Sequence, residues 1–328
     1  MTADDNYPKV SVIMPSYNNS AFIKQSIESV LSQNYSNIEL IVIDDGSTDN
    51  SIEILSEYQG RIILSKQENK GAAAARNHGI RLATGDFICF LDSDDIWLQG
   101  KIKAQINFLL NNPDFIACYC GWKSWDGKKI PLDTESNDPE HLQIDQTGWI
   151  YLQLLKSSII STITVLMKAE IVKKVGFFDE SLIVGEDHDY WLRLSRLGKI
   201  AKLKNNYSLY RRNINSITRK MYFKNYSLIV LENNVKKFGL IDPAGNSITI
   251  ETYNNYVADR HFLYGYFAFW LGFKNEATSA FLQSFKNKNY RLKSLIYLLS
   301  CRISFIYKII VERKQRKLAK IRSENSEI

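Results

Sequence analysis

Four short apolar runs, each followed by a polar turn and a helix-forming stretch, decide what the first hundred residues can fold into. Val10, Val12, Ile13 and Met14 make a β-branched run that stops at Pro15, and residues 39–43, 61–64 and 87–91 make three more. Between them, Ile23, Ile27, Val30 and Leu31 share one helix face, with Ser20 placed to cap that helix. Ile52 and Leu55 belong to a second helix that stops at Gly60, and residues 71–83 form a third, rich in small residues. Strand and helix alternating in this way predict an α/β protein with a mostly parallel central sheet flanked by helices.

In such sheets ligands bind beyond the carboxyl ends of the strands, and those ends here carry Tyr17, Asp44, Asp45 and the cluster Asp92-Ser93-Asp94-Asp95. Crowded carboxylates repel one another unless a cation holds them. A second acidic pair, Glu186-Asp187, sits where a loop runs into an amphipathic helix. The expectation is a metal site facing a general base. No glycine fingerprint follows the first run and no Gly-Lys-Ser or Gly-Lys-Thr occurs, which excludes dinucleotide-binding and P-loop readings. A nucleotide would instead be held by stacking on Tyr17, by a carboxylate accepting from base or ribose, and by a divalent cation bridging its diphosphate to Asp94.

Further along, residues 115–122 and 161–167 read as strands, Asp126-Gly127 as a hairpin turn, residues 133–146 as a polar loop, and residues 200–203 and 208–210 as the last strands. After about Thr218 the text turns helical, with amphipathic stretches at 222–238, 253–273 and 277–285. The expected division is a catalytic domain over 1–217 and a helical extension over 218–328. The net charge of +7 is uneven: residues 286–322 carry twelve basic residues and one acid, Glu312, hence +11 against −4 for the remainder. Arg302 interrupts the apolar stretch 294–311, which disfavours a membrane span and favours a helix lying on an anionic membrane surface. Nucleic acid is not expected as a partner, because the basic residues are interleaved with Leu, Ile and Phe and no nucleic-acid module is present. The polar, acidic N-terminus predicts a cytoplasmic protein, and the basic tail predicts that it is peripheral on the inner face of the cell membrane. Cys89, Cys118, Cys120 and Cys301 are few and scattered, and read as reduced core residues.

Together the segment 10–50, the stretch Asn69 to Gly79 with Ala75-Arg76-Asn77, the cluster Asp92-Ser93-Asp94-Asp95 and the run Gly185-Glu186-Asp187-His188-Asp189-Tyr190-Trp191 resemble an inverting family 2 glycosyltransferase of GT-A fold. The resemblance covers residues 8–217. It implies that Pro15 and Tyr17 line the base pocket, that Asp44, or alternatively Asp45, accepts from the base, and that Arg76 sits by the nucleotide. It further assigns Asp92, with Ser93, to the ribose and donor sugar, Asp94 to Mn²⁺ or Mg²⁺, and Asp187 to deprotonating the acceptor hydroxyl. Glu186 would position the sugar or the loop, since neighbours in an extended or turn backbone point apart. The implied activity is transfer from a nucleotide sugar, UDP-linked, to a saccharide or lipid-linked saccharide during surface polysaccharide or glycoconjugate synthesis. In many relatives Tyr-Arg, one variable residue and a metal-contacting His follow the last strand; here Tyr210-Arg211-Arg212 is followed by Asn213, a weaker metal ligand. Arg211 or Arg212 would then neutralise the diphosphate, with Asn213 a secondary contact. That departure keeps open a non-catalytic partner subunit that binds nucleotide sugar. A sugar nucleotidyltransferase is disfavoured by the missing glycine-rich basic loop.

Plainer roles exist for each residue taken singly. Asp92 to Asp95 could cap a helix beginning near Trp97, Glu186 and Asp187 could be helix N-terminal charges, Tyr17 a surface aromatic, and Arg76 the partner of a nearby carboxylate. His78 and His188 lack zinc-ligand spacing and read as packing or surface residues.

Overall fold

The structure, a computed structural model, describes residues 7–128, 130, 142–212 and 220–303 of the 328-residue chain. The parallel half of the sheet is built from β1 (Val10–Ser16), α1 (Ile23–Leu31), β2 (Ile38–Asp44), α2 (Ser51–Ser56), β3 (Ile63–Lys66), α3 (Ala72–Leu82) and β4 (Phe87–Phe90). β1 pairs in parallel with β2 on one side and β4 on the other, and β2 with β3. β1 is buried along its whole length because helices cover both of its faces. Val10, Val12 and Met14 join one core with Ile23, Ile27 and Val30 of α1. Ile13 points the other way, towards α3, where Gly79 allows a close approach: a Cβ there would collide with the Ile13 side chain. Each such Ile or Val contributes about 1.5–3 kcal/mol by leaving water.

The second half adds β5 (Ile96–Trp97), α4 (Lys101–Asn111), β6 (Phe115–Trp125), α5 (Tyr151–Lys156), β7 (Val165–Lys168), α6 (Ala169–Val175), α7 (Glu186–Leu194) and β8 (Lys199–Arg211). The described strands form one eight-stranded sheet in the order β3-β2-β1-β4-β7-β6-β8-β5. The chain re-enters through the turn Thr162–Thr164, so β7 lies antiparallel between β4 and β6. β5 is antiparallel to β8, while β6 and β8 are parallel. The sheet is therefore mostly parallel as expected, with β7 and β5 reversed.

Three local expectations change. Ser20 does not cap α1: its N–H donates to Asp49 at 3.0 Å, and the helix starts at Ile23 after a turn closed by Phe22 N–H on the Asn19 carbonyl. No helix begins near Trp97, because Ile96 and Trp97 pair with Leu209 and Ser208, and α4 starts at Lys101 behind a left-handed Gly100. The two short runs at 200–203 and 208–210 are one strand, β8, whose pairing with β6 shifts register around Gly121. Cys89, Cys118 and Cys120 are free, buried core residues, and Cys301 is half-buried.

The chain divides into two compact units, one up to Arg219 together with Asn234–Ser247, the other Lys220–Asn233 with Ile248 onward. The second unit holds the first part of α8 (Tyr226–Phe238), then α9 (Ile250–Trp270), α10 (Lys274–Phe285) and α11 (Arg291–Arg302). Its core is aromatic: Phe281 stacks on Tyr297 at 5.1 Å, and Phe269 meets Tyr297 edge-on at 5.2 Å.

Candidate active site

The strand order carries the first cluster. Ser16 at the end of β1 pairs with Asp44 at the end of β2, so Tyr17 and Asp44 emerge side by side, and β4 on the other flank of β1 delivers Asp92 just beyond Phe90. Pro15 is buried in β1 opposite Ile43, and Tyr17 is 47% exposed. The loops after β1 and β2 are sewn together by Asn18, whose Oδ1 accepts from Thr48 N–H at 2.7 Å and whose N–H donates to Ser47 Oγ at 3.0 Å. Asn18 has φ of +50°, a left-handed backbone that asparagine tolerates.

The adjacent carboxylates Asp44 and Asp45 differ in what they hold. Asp45 is saturated: Oδ1 accepts from Gln67 Nε2 at 2.8 Å and Lys70 N–H at 2.9 Å, and Oδ2 accepts from Gly71 N–H at 2.8 Å, which ties the loop to the start of α3. Asp44 is buried, its Oδ2 accepts from Ser47 N–H at 3.2 Å, and its Oδ1 has no partner. A buried carboxylate oxygen left open costs free energy until something donates to it.

The acidic cluster is braced from two sides. Ser93 is buried, its hydroxyl accepting from Asn19 Nδ2 at 2.6 Å and its carbonyl from Ser26 Oγ at 2.9 Å. Asp95 is the most buried of the four residues, with Oδ1 accepting from Arg211 N–H at 2.7 Å. Burial and its neighbours Asp94 and Asp92 push Asp95 well above the usual carboxylate range, against the pull of Arg211. The Arg211 guanidinium lies between Phe22 and Trp125, 4.6 and 4.3 Å from the ring centres, and donates to the Asp94 carbonyl and to Gln25 Oε1, both at 2.7 Å. Arg211 thus holds the acidic loop from behind. Arg212 is turned to Ser124 Oγ at 2.7 Å, and Asn213 lies outside the described residues.

Arg76 joins the two acidic clusters. It is buried in α3; Nη2 donates to Asp92 at 2.8 Å and Nη1 to Glu186 at 2.7 Å. Burial works against its charge, but Asp92 and Glu186 outweigh burial and hold the guanidinium above its ordinary value. Burial raises Glu186 above the usual glutamate range, against the pull of Arg76 and with a further push from Asp187. The next residue on α3, Asn77, clasps Phe178: its Nδ2 donates to the Phe178 carbonyl at 3.0 Å and its Oδ1 accepts from Phe178 N–H at 2.8 Å. Phe178 stacks on Tyr190 of α7 at 4.2 Å, so α3 positions both the loop and the helix that carry the second cluster.

Glu186 and Asp187 are the first two residues of α7, behind a left-handed Gly185, and not part of an extended or turn backbone. They still diverge, because successive residues on a helix are about 100° apart. Glu186 faces Arg76, whereas Asp187 accepts from Thr162 Oγ1 at 3.2 Å and from His188 N–H at 2.7 Å. His188 is buried, with Nε2 donating to the Leu154 carbonyl at 2.8 Å, and His78 is held between Gln67 and Ser65. Asp189 serves the scaffold, paired with Arg193 and accepting from Asn234 Nδ2. Among the described residues no three His, Cys, Asp or Glu side chains gather as a metal cage.

The glycosyl transferase family 2 profile matches residues 11–175, half of the chain. An uncharacterized glycosyltransferase of Rickettsia typhi is 36% identical over 195 residues, which cover 59% of this chain and 60% of that protein. Escherichia coli WfgD, a UDP-Glc:alpha-D-GlcNAc-diphosphoundecaprenol beta-1,3-glucosyltransferase, is 36% identical over 197 residues, covering 59% of this chain and 72% of WfgD. The chain belongs to glycosyl transferase family 2. Staphylococcus aureus TarS 1–349, solved with UDP-GlcNAc, shares the fold at a TM-score of 0.64 and 19% identity, over 90% of this chain and 91% of that one. The expected α/β GT-A architecture with C-terminal helices is thereby observed in this family 2 chain. The match to the Rickettsia protein thus spans about three-fifths of that protein's length. Residues 11–175 of the family 2 chain include Tyr17, Asp44, Arg76 and Asp94, while Glu186, Asp187 and Arg211 lie beyond the matched span.

Proposed function

We propose that this chain is a metal-dependent inverting glycosyltransferase. It moves a sugar from a UDP-linked donor to a saccharide or lipid-linked saccharide acceptor in surface polysaccharide or glycoconjugate synthesis. The observation that carries the reading is the Arg76 bridge, which draws the acidic loop after β4 and the N-terminus of α7 to one place beside Asp44 and Tyr17. The UDP-glucose donor in the name of WfgD and the UDP-GlcNAc in the TarS structure support the donor class.

In this reading Asp44, whose buried Oδ1 lacks a partner, accepts from an N–H of the base, and exposed Tyr17 offers its ring for stacking. The acceptor hydroxyl attacks the anomeric carbon from the side opposite the diphosphate. A glycosidic C–O bond forms, the bond to the diphosphate oxygen breaks, and the hydroxyl proton passes to Asp187. Donation from Thr162 Oγ1 and from His188 N–H fixes the orientation of the Asp187 carboxylate. Arg76 keeps Glu186 and Asp92 in register around the sugar, so Glu186 serves as a positioning residue. Asp94 would supply a hard oxygen donor of the kind that suits Mn²⁺ or Mg²⁺. Bound there, the ion supplies positive charge to the diphosphate leaving group.

The test is a panel of sugar nucleotides with Mn²⁺, measuring nucleoside diphosphate release and, by calorimetry, donor affinity. Asp94→Ala is expected to lose about tenfold or more of metal-dependent donor affinity. Equal affinity in parent and Asp94→Ala would remove Asp94 from the metal site. Donor binding by the parent without release on any acceptor would favour a binding subunit over an enzyme.

A further inference from the structure

α11 is apolar on its outward side as well as on the side packed against the rest of its unit. Its inward side carries Ser294 and Ser300, both 0% exposed, with Tyr297, Leu298 and Cys301 packed against Phe269, Ala277 and Phe281. Its outward side carries Leu292, Leu295, Ile296 and Leu299, continued by Ile303, with exposures of 72, 41, 46, 42 and 44%. Steps of three, one, three and four residues align these five side chains in a single stripe. The serines inside have a packing cause: Ser294 and Ser284 of α10 are both fully buried, small enough for two helices to approach closely, and each leaves its hydroxyl without a partner. Leu292, Leu295, Ile296 and Leu299 therefore face water while two serines lie inside beside Tyr297 and Leu298. An exposed apolar stripe of this length marks an interaction surface.

Charge selects the occupant. α11 contains no acidic residue, and its exposed Arg291, Lys293 and Arg302 flank the stripe. They sit within residues 286–322, which carry twelve basic residues and one acid. A second copy would meet this face with the same positive charge. A lipid surface bearing phosphate accepts both features, apolar side chains at the acyl boundary and cations at the headgroups. The twelve described residues of α11 extend about 18 Å, short of the ~30 Å hydrocarbon core, and no described helix is long and apolar enough to cross a membrane.

We propose that α11 is a membrane-docking helix that lies in the surface of an anionic bilayer. Leu292, Leu295, Ile296, Leu299 and Ile303 enter the acyl boundary, and Arg291, Lys293 and Arg302 engage lipid phosphates. The inference stands on α11 alone and does not rest on the transfer chemistry. Its test is flotation of the full chain with vesicles of phosphatidylcholine, alone or mixed with phosphatidylglycerol. The parent is expected to float with the anionic vesicles, and both Leu295→Gln/Leu299→Gln and Arg291→Gln/Lys293→Gln are expected to lose about tenfold or more of that partitioning. All four positions are exposed, so the melting temperature and donor affinity of both variants stay at the parent value, which separates this test from that of the transfer reaction. Parental flotation of the leucine variant, or equal binding to neutral vesicles, would overturn the proposal. So would a parent that ignores vesicles and forms a dimer dispersed by the leucine substitutions, an outcome that assigns the stripe to a second copy.

Discussion

Asp187→Asn is expected to bind the nucleotide sugar within about twofold of the parent and to turn it over about 10²–10⁴-fold more slowly, the range for loss of a positioned general base. The substitution preserves shape. An amide oxygen still accepts from Thr162 Oγ1 or His188 N–H, and the ion pairs of Arg76 with Glu186 and Asp92 are untouched. What disappears is the carboxylate oxygen proposed to take the acceptor's proton. Calorimetry with the donor and release of nucleoside diphosphate measure the two halves separately. Parental turnover would show that Asp187 is not the base. A parallel loss of donor affinity would instead put Asp187 on the donor side of the reaction.

Arg76→Met is expected to cost about 3–5 kcal/mol of stability at neutral pH, because it leaves two carboxylates packed around a vacated cation site. The methionine fills most of the arginine stem, so the loss is electrostatic more than one of packing. The pH dependence distinguishes the two causes. Burial raises Glu186 in the folded protein, so its contribution to stability is full below the ordinary glutamate value and is lost as the pH climbs through the raised one. In the parent, Arg76 limits that loss; in the methionine variant nothing does. The deficit relative to the parent should therefore shrink as the pH is lowered, because a protonated Glu186 needs no cation. Denaturant unfolding of both proteins at the two pH values reads this directly. An equal deficit at both would reduce Arg76 to a packing residue.

The parallel half of the fold is legible because its physical cause is local. Val10, Val12, Ile13 and Met14 put apolar side chains on both faces of a run broken only by Ser11, and a strand covered on both faces demands that. β5 is two residues long and exists through pairing with Leu209 and Ser208, more than a hundred positions away, so no local pattern announces it. The site divides in the same way. Acidic residues at strand ends could be listed from the sequence as candidates, but Asp44 and Asp45 are neighbours, and only the donors around Asp45 tell which carboxylate keeps an unpartnered oxygen. Arg76 reaches partners 16 and 110 residues away, and Thr162 lies 25 residues before Asp187; such links arise from the crossing of elements and leave no periodicity. Asn19 on Ser93 and Asn77 on Phe178 escaped for the same reason. The apolar character of α11 is legible, but its inward side is not, because a stripe of leucine conventionally points to the core.

The central claim is a single displacement at the anomeric carbon, with Asp187 on the acceptor side and the diphosphate leaving on the other. It is tested most directly by the anomeric configuration of the product, read by proton NMR from an α-linked UDP-sugar and an acceptor found in the panel. A β-glycoside is the predicted product, and an α-glycoside would contradict the account.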